Sequence, residues 1–255
     1  MTYRVEHLAE GVTVYCGDCR EILPTLSGID HIITDPPYSQ RTHSGHDNGS
    51  SARRDGAARR VLNYGWLTPA EVDEFGGRFC QAASGWIVWM TDHTLAPLIH
   101  EKLASQGRYV FAPLPFFHPG RSVRLTGDGP SSWTDWIICA RTAAQRKWGT
   151  LPGGYVASEG WNDKERMGGK PTRLMTLLVQ HYSRAGETVC DPMMGAGTTG
   201  VAAVREGRRF SGIEIDEAIF DVACRRIADE LRRPQLFGSH VEKPQQQALS
   251  FGASA

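Results

Sequence analysis

The run Val189-Cys190-Asp191-Pro192-Met193-Met194-Gly195-Ala196-Gly197-Thr198-Thr199 narrows the choice of fold more than any other stretch of the chain. It reads as a short buried strand, a glycine turn and the first turn of a helix that continues through Gly200 to Glu206. A strand that hands over directly to a helix belongs to an α/β chain, and the strand and helix patterns alternate elsewhere too. Gly195 and Gly197 permit a tight turn and let a ligand approach bare backbone. No lysine follows Gly197, and the spacing is not that of a dinucleotide fingerprint, so this is not a phosphate cradle. The acid at the strand tip, Asp191, would repel phosphate and suit an ammonium group. Roughly 20 residues on, the run 210–216 reads as the next strand, with Glu214 near its carboxyl end, where a carboxylate can accept both hydroxyls of a ribose. The ligand implied carries a ribose and an amine and little phosphate.

A second strand tip has a different character. Asp35, Pro36, Pro37 and Tyr38 follow the apolar run Ile29-Asp30-His31-Ile32-Ile33-Thr34. Two prolines fix φ twice and remove two N–H donors, so the chain leaves the strand on a rigid extended track with carbonyls free to accept hydrogen bonds. An acidic acceptor, free carbonyls and a flat ring are what is needed to hold the exocyclic amine of a planar base. Taken alone, the tetrapeptide also fits an ordinary turn.

Together these residues resemble the amino-group DNA methyltransferases that use S-adenosylmethionine, in the subgroup whose Asp-Pro-Pro-Tyr motif precedes the cofactor glycine motif. The resemblance makes Asp35, Pro36, Pro37 and Tyr38 the catalytic motif and Asp191, Pro192, Met193, Gly195, Gly197, Thr198 and Thr199 the cofactor motif. Glu214, followed by Ile215, becomes the ribose ligand, and Asp18 of the Gly17-Asp18 pair the adenine contact. Asp35 also borders the cofactor, and Lys170 joins the cofactor set by opening Lys170-Pro171-Thr172-Arg173-Leu174, with Pro171 at an early helical position. The fold implied is a Rossmann-like methyltransferase fold, an open three-layer sandwich around a seven-stranded mixed sheet with one antiparallel strand at its edge. In that sheet the strand ending at Asp191 lies beside the one ending at Asp35, so methyl donor and amino acceptor meet across adjacent tips. The implied cofactor is S-adenosylmethionine, the implied partner double-stranded DNA, and family habit suggests a homodimer.

At 255 residues the chain can bury one large core, and residues 1–234 are expected to form a single catalytic domain. The six cysteines are scattered. Cys16 and Cys19 have the spacing of one half of a zinc site, but no second pair follows, so no metal is expected. No run approaches a membrane span, and a cytoplasmic protein of bacterial, archaeal or phage origin is expected. With 28 basic and 28 acidic side chains the formal charge is zero, which fits nucleic acid poorly unless the charge is segregated. Arg53, Arg54, Arg59 and Arg60 form one basic group and Arg121 and Arg124 another, both beside active-site elements and both candidate DNA contacts. Arg225, Arg226, Arg232 and Arg233 read as a solvated helix face.

Further along, strands are expected at 13–15, 30–34, 86–90, 109–114 and 133–140, the last two as an antiparallel pair, and helices at 68–83 and 95–106. Residues 39–60, including Arg41, are too polar to pack and serve either as a lid over DNA or as a disordered insertion. Residues 115–120 join the antiparallel pair, and Phe117 or Phe116 there is the aromatic that the resemblance packs on the target base, unless it simply fills the core. The resemblance places a short target-recognition region at residues 141–169, with Arg146 and Lys147, and 235–255 are expected to form a frayed tail. The resemblance also implies an acceptor: among such methyltransferases an acidic residue before Pro-Pro-Tyr usually accompanies adenine N6 rather than cytosine N4 methylation, so adenine is expected. An RNA or protein amine and an inactive DNA-binding subunit remain alternatives.

Overall fold

Three short segments, His31–Thr34, Ile87–Thr91 and Thr188–Asp191, are buried at every residue. A strand with one wet face would alternate; continuous burial demands cover on both faces, as in a parallel sheet between helical layers. The computed structural model describes residues 3–40, 42, 65–120, 129–145, 147–157 and 170–233. Its strands are β1 Arg4–Ala9, β2 Val12–Cys16, β3 His31–Thr34, β4 Ile87–Thr91, β5 Arg108–Val110, β6 Leu114–Phe117, β7 Thr134–Thr142, β8 Tyr155–Val156, β9 Thr188–Asp191 and β10 Arg209–Glu214. The helices are α1 Cys19–Ile22, α2 Pro69–Ala82, α3 Ala96–Ser105, α4 Thr172–Tyr182, α5 Thr198–Arg205 and α6 Glu217–Leu231.

The strand order is β1-β2-β10-β9-β3-β4-β7-β6-β8, with β5 also on β7. Strands β2, β10, β9, β3 and β4 are mutually parallel, and β7 is antiparallel to β4, β5 and β6. Leu174, Leu178, Ala202 and Phe220 of α4, α5 and α6 pack into the core on one face, and Ile22, Phe79 and Ile99 of α1, α2 and α3 on the other. The expected three-layer α/β sandwich is therefore the observed architecture, with ten strands rather than seven. The difference has a local cause. β5 and β6 lie end to end along β7, facing its residues 140–142 and 134–137, and so share one position in the sheet. Pro113 between them has no N–H to continue the ladder. β1 and the two-residue β8 extend the edges. Contrary to expectation, the antiparallel β7 is interior, because β5 and β6 flank it on the outside. Residues 115–117 belong to β6 rather than to the connection.

Sequence-based helix limits hold to within a residue or two, with instructive detail at the starts. Pro171 is the N-cap of α4, one position earlier than expected; its carbonyl accepts from Leu174 and Met175 N–H. Helix α2 opens with a reciprocal capping box between Thr68 and Glu71, and Pro69 at N1 costs no hydrogen bond. Removing the hydroxyl by Thr68→Ala is expected to cost about 1 kcal/mol. Urea unfolding checks it, and an unchanged midpoint would mean the cap contributes nothing here.

Arg41, Arg53, Arg54, Arg59, Arg60, Arg121, Arg124 and Arg146, most of segment 39–60, residues 158–169 and the tail 235–255 lie outside the described residues. Among the described residues, no helix is long and apolar enough to cross a membrane, and no three His, Cys, Asp or Glu side chains are placed to share a metal ion.

Candidate active site

Five neighbouring parallel strands each deliver an acid to the same rim of the sheet. Glu214 is the last residue of β10 and Asp191 of β9; Asp35 and Asp92 directly follow β3 and β4, and Asp18 lies two residues beyond β2. Parallel strands share a direction, so their carboxyl ends form one edge, the place where open α/β sheets take ligands. The pairing of His31 with Val189 and Ile32 with Cys190 makes β3 and β9 direct neighbours, as expected from the sequence. Asp18, Asp35, Asp191 and Glu214 are thus brought together from across the chain. Asp92 was given no role of its own from the sequence, although it follows an apolar strand just as Asp35 does.

Asp35 is the one of the five that pairs with a lysine. Lys170, just before α4, donates from Nζ to Asp35 Oδ1 and Oδ2 at 2.9 and 3.0 Å, and Tyr38 donates its hydroxyl to Oδ1 at 3.0 Å. The same ammonium lies 4.5 Å from the centroid of the Tyr38 ring. A further carboxylate that sequence reasoning missed, Asp135 of β7, is 3% exposed and stands 3.6 Å from Lys170 Nζ. Burial pushes the Asp35 carboxyl above its usual range, against the pull of Lys170, while Asp135 adds to the rise.

Asp191 is committed to protein donors. Its Oδ1 accepts from Thr34 Oγ1 at 2.7 Å and Met193 N at 3.2 Å, and its Oδ2 from Thr199 Oγ1 at 2.5 Å. One carboxylate therefore ties the tip of β3 to the glycine turn and to α5, and burial pushes its pKa up to about 6. Gly197, the N-cap of α5, has φ +77°, and a Cβ there would stand 3.0 Å from Ala223 Cβ. Gly195 has φ +53°, but a Cβ there would meet open space. Arg226 holds the turn from behind by donating to Ala196 O at 2.6 Å and Thr198 Oγ1 at 3.2 Å, so this arginine is not the solvated charge expected from the sequence. Arg232 and Arg233 are exposed beside Asp229 and Glu230. Glu214 is 8% exposed; burial raises its pKa against donation from Asp216 N at 2.8 Å and from the N–H groups of Gly195 and Ile215. Ile215 beside it is 62% exposed, an apolar surface next to an acid. Asp18 caps α1, accepting from Arg20 N at 2.8 Å.

Asp92 divides its oxygens between two jobs. Oδ2 accepts from Ser39 N at 3.0 Å, Ser39 Oγ at 2.5 Å and Thr42 Oγ1 at 2.6 Å, while Oδ1 accepts from Thr94 N at 2.9 Å and Leu95 N at 3.1 Å. The residues after Tyr38 are thereby pinned to the start of α3. Burial pushes the Asp92 carboxyl up, but the hydrogen bonds from Ser39 and Thr42 outweigh it and hold the pKa below the ordinary 3.8. A depressed acid stabilises the fold above its unfolded pKa, and that contribution is lost as pH falls through the folded value. Asp92→Asn should therefore be less stable than the wild type near neutral pH, with the gap narrowing once pH drops below 3.8. Urea midpoints along a pH series test this, and a gap independent of pH would rule out the charge as its origin.

Two nucleic-acid candidates fall in different places. Phe117, 38% exposed at the end of β6, pairs with Thr134 and lies 6.1 Å from the ring of Trp133, next to the strand that carries Asp135. Phe116 is buried in the core. Lys147 is exposed, but the structure does not bring it to the acidic rim. Its neighbour Trp148 donates from Nε1 to His181 O near the end of α4 and stands 5.7 Å from His31 at the start of β3, at the opposite end of the strands. Trp86 and Trp89 are core residues, 2% and 0% exposed.

Residues 141–225, which include the glycine turn, β9, α5 and β10, match the family model N6_N4_Mtase, described as DNA methylase. Over this stretch the chain is similar to the DNA methylases that the model describes. Similar curated proteins are the Type II methyltransferase M2.DpnII of Streptococcus pneumoniae, 38% identical over 61 residues (24% of this chain and 23% of that protein), and the DNA adenine methyltransferase YhdJ of Escherichia coli K12, 38% identical over 58 residues (23% and 20%). The chain thus spans under a quarter of the length of the curated relatives it matches. The crystal structure of the M1.HpyAVI-SAM complex is similar over 84% of this chain and 98% of its own, with TM-score 0.64 at 21% identity, and it has the same fold.

Proposed function

We propose that the protein transfers a methyl group from S-adenosylmethionine to the exocyclic amine of a base in duplex DNA, with adenine N6 as the acceptor. The observation that carries this reading is the adjacency of β3 and β9, which sets the Asp35 tetrapeptide beside the glycine turn that starts at Asp191. The residues suit the cofactor chemically. A rim of carboxylates favours a ligand bearing a sulfonium and an ammonium, Gly195 opens onto free space, and Glu214 with exposed Ile215 offers an acceptor for ribose hydroxyls beside an apolar surface for adenine. Asp18 would take the adenine amine and the turn at Gly195, Gly197, Thr198 and Thr199 the amino-acid portion, whereas Lys170 is bonded to Asp35. When bound, the cofactor supplies an electrophilic methyl group. The M1.HpyAVI complex, by its description, contains that cofactor, and YhdJ is named for adenine methylation; both support the reading.

The amine of adenine is a weak nucleophile because its lone pair is delocalised into the ring. Hydrogen bonds accepted by Asp35 and by the Pro36 carbonyl would hold the amino hydrogens and let the lone pair localise on nitrogen, an interaction that strengthens toward the transition state. Asp35 acts here as an acceptor, and its role does not require it to remove a proton. Tyr38 would stack on the target ring, and Phe117 would line the path of a base that leaves the duplex. The test is incubation with labelled S-adenosylmethionine and mixed-sequence duplex DNA, beside RNA and an Asp35→Ala control, followed by digestion to nucleosides. N6-methyladenine is expected, and absent from the control. N4-methylcytosine would keep the mechanism and change the base, whereas cofactor binding with no DNA product would overturn the reading in favour of an RNA or protein amine.

A further inference from the structure

The proposed chemistry needs what Lys170 now occupies. Its ammonium bonds both oxygens of Asp35, the acceptor for the target amine, and covers the Tyr38 ring, the stacking surface. A base cannot enter until Lys170 moves. Lys170 lies one residue before Pro171, the N-cap of α4, and its long flexible side chain can carry the motion. Asp135 offers a second carboxylate 3.6 Å from the same Nζ, on β7 rather than β3, and a displacement of about an ångström would bring that contact to charge-assisted hydrogen-bond length. Because Asp135 is 3% exposed, it is held in place and largely shielded from water.

We infer that Asp135 is a positioning residue that receives the Lys170 ammonium as the target base enters, freeing Asp35 and the face of Tyr38. Exchange between two carboxylates keeps the ammonium paired throughout, whereas release into a half-buried site would leave it desolvated without a counter-charge. Asp135 itself touches no reacting atom. The inference rests on the methyltransferase reading and adds to it a gate built from the protein's own side chains.

A double-mutant cycle tests it, using Asp135→Asn and Lys170→Met on a duplex that carries 2-aminopurine at the position found to be methylated. The readouts are base-entry fluorescence, turnover, DNA KM and cofactor Kd. In the wild-type background Asp135→Asn is expected to reduce base entry and turnover about tenfold with cofactor Kd unchanged, and to have no effect once Lys170 is Met. Lys170→Gln repeats the cycle should the Met variant fail to fold. Equal losses in both backgrounds would overturn the inference, as would an Asp135→Asn enzyme with normal base entry. A wild-type protein that methylates no DNA removes the reading and the inference together, whereas an active wild type with uncoupled variants removes the inference alone.

Discussion

Replacing Asp35 by Ala is expected to lower methyl transfer by about a hundred- to a thousandfold, the range seen when one preorganised electrostatic contact is removed from a transition state. Cofactor affinity should change little, because the groups proposed to hold the cofactor lie on β2, β9, β10 and the glycine turn rather than on β3. The fold should tolerate the change as well. Truncating one member of a buried ion pair normally strands the other, but here Lys170 keeps Asp135 at 3.6 Å as a second partner. Burial already holds the Asp35 carboxyl above its ordinary pKa, so removing the charge also relieves desolvation. Asp35→Asn provides the sharper control, since it preserves shape and loses the charge. Its amide would present a donor to Tyr38 or to the incoming amine. Measured together, single-turnover rate, cofactor Kd by calorimetry and melting temperature separate the contributions. A variant that loses cofactor binding as much as turnover would place Asp35 in the cofactor seat rather than at the acceptor.

Features set by local chemistry were readable in the sequence. The capping signal at Thr68, the buried runs that became β3, β4 and β9, and the glycine turn from Gly195 to Gly197 each follow from a few neighbouring residues. Resemblance to a known family supplied the long-range step of laying β3 beside β9, which separations of more than 150 residues put beyond pattern reading. Features that depend on side chains meeting in space were not legible. Asp135 sits within an apolar strand pattern, and nothing in its neighbouring residues signals that it meets Lys170 at 3.6 Å. Arg226 looked like surface charge because its neighbours on α6 are polar, but one turn of helix decides whether a guanidinium faces water or the Ala196 carbonyl. Lys147 was grouped with the recognition region by position in the chain, while the docking of Trp148 against His31 takes that segment to the far end of the sheet.

The second large effect belongs to Gly197. A valine there must adopt φ near +77°, a left-handed conformation that costs a non-glycine residue about 1–3 kcal/mol. Its Cβ would also stand 3.0 Å from Ala223 Cβ and 3.2 Å from Ala223 Cα, and α6 backbone gives way less easily than the end of a flexible side chain. Together these terms predict a loss of about 3 kcal/mol, which for a domain of this size corresponds to a fall in melting temperature of roughly 6–12 °C. The turn itself would shift, and with it the backbone proposed to meet the cofactor. Gly197→Val should therefore weaken cofactor binding more than it slows transfer by the enzyme that still binds, the reverse of Asp35→Ala. Gly195→Ala separates strain from space: its φ of +53° carries a backbone cost, but the added methyl points into the open. That variant should keep most of the fold's stability and lose affinity only if the cofactor fills the space. Melting temperatures and cofactor Kd for both variants decide the matter. If Gly195→Ala binds as the wild type does while Gly197→Val keeps its affinity but loses turnover, the glycine turn supports the chemistry by some route other than seating the cofactor.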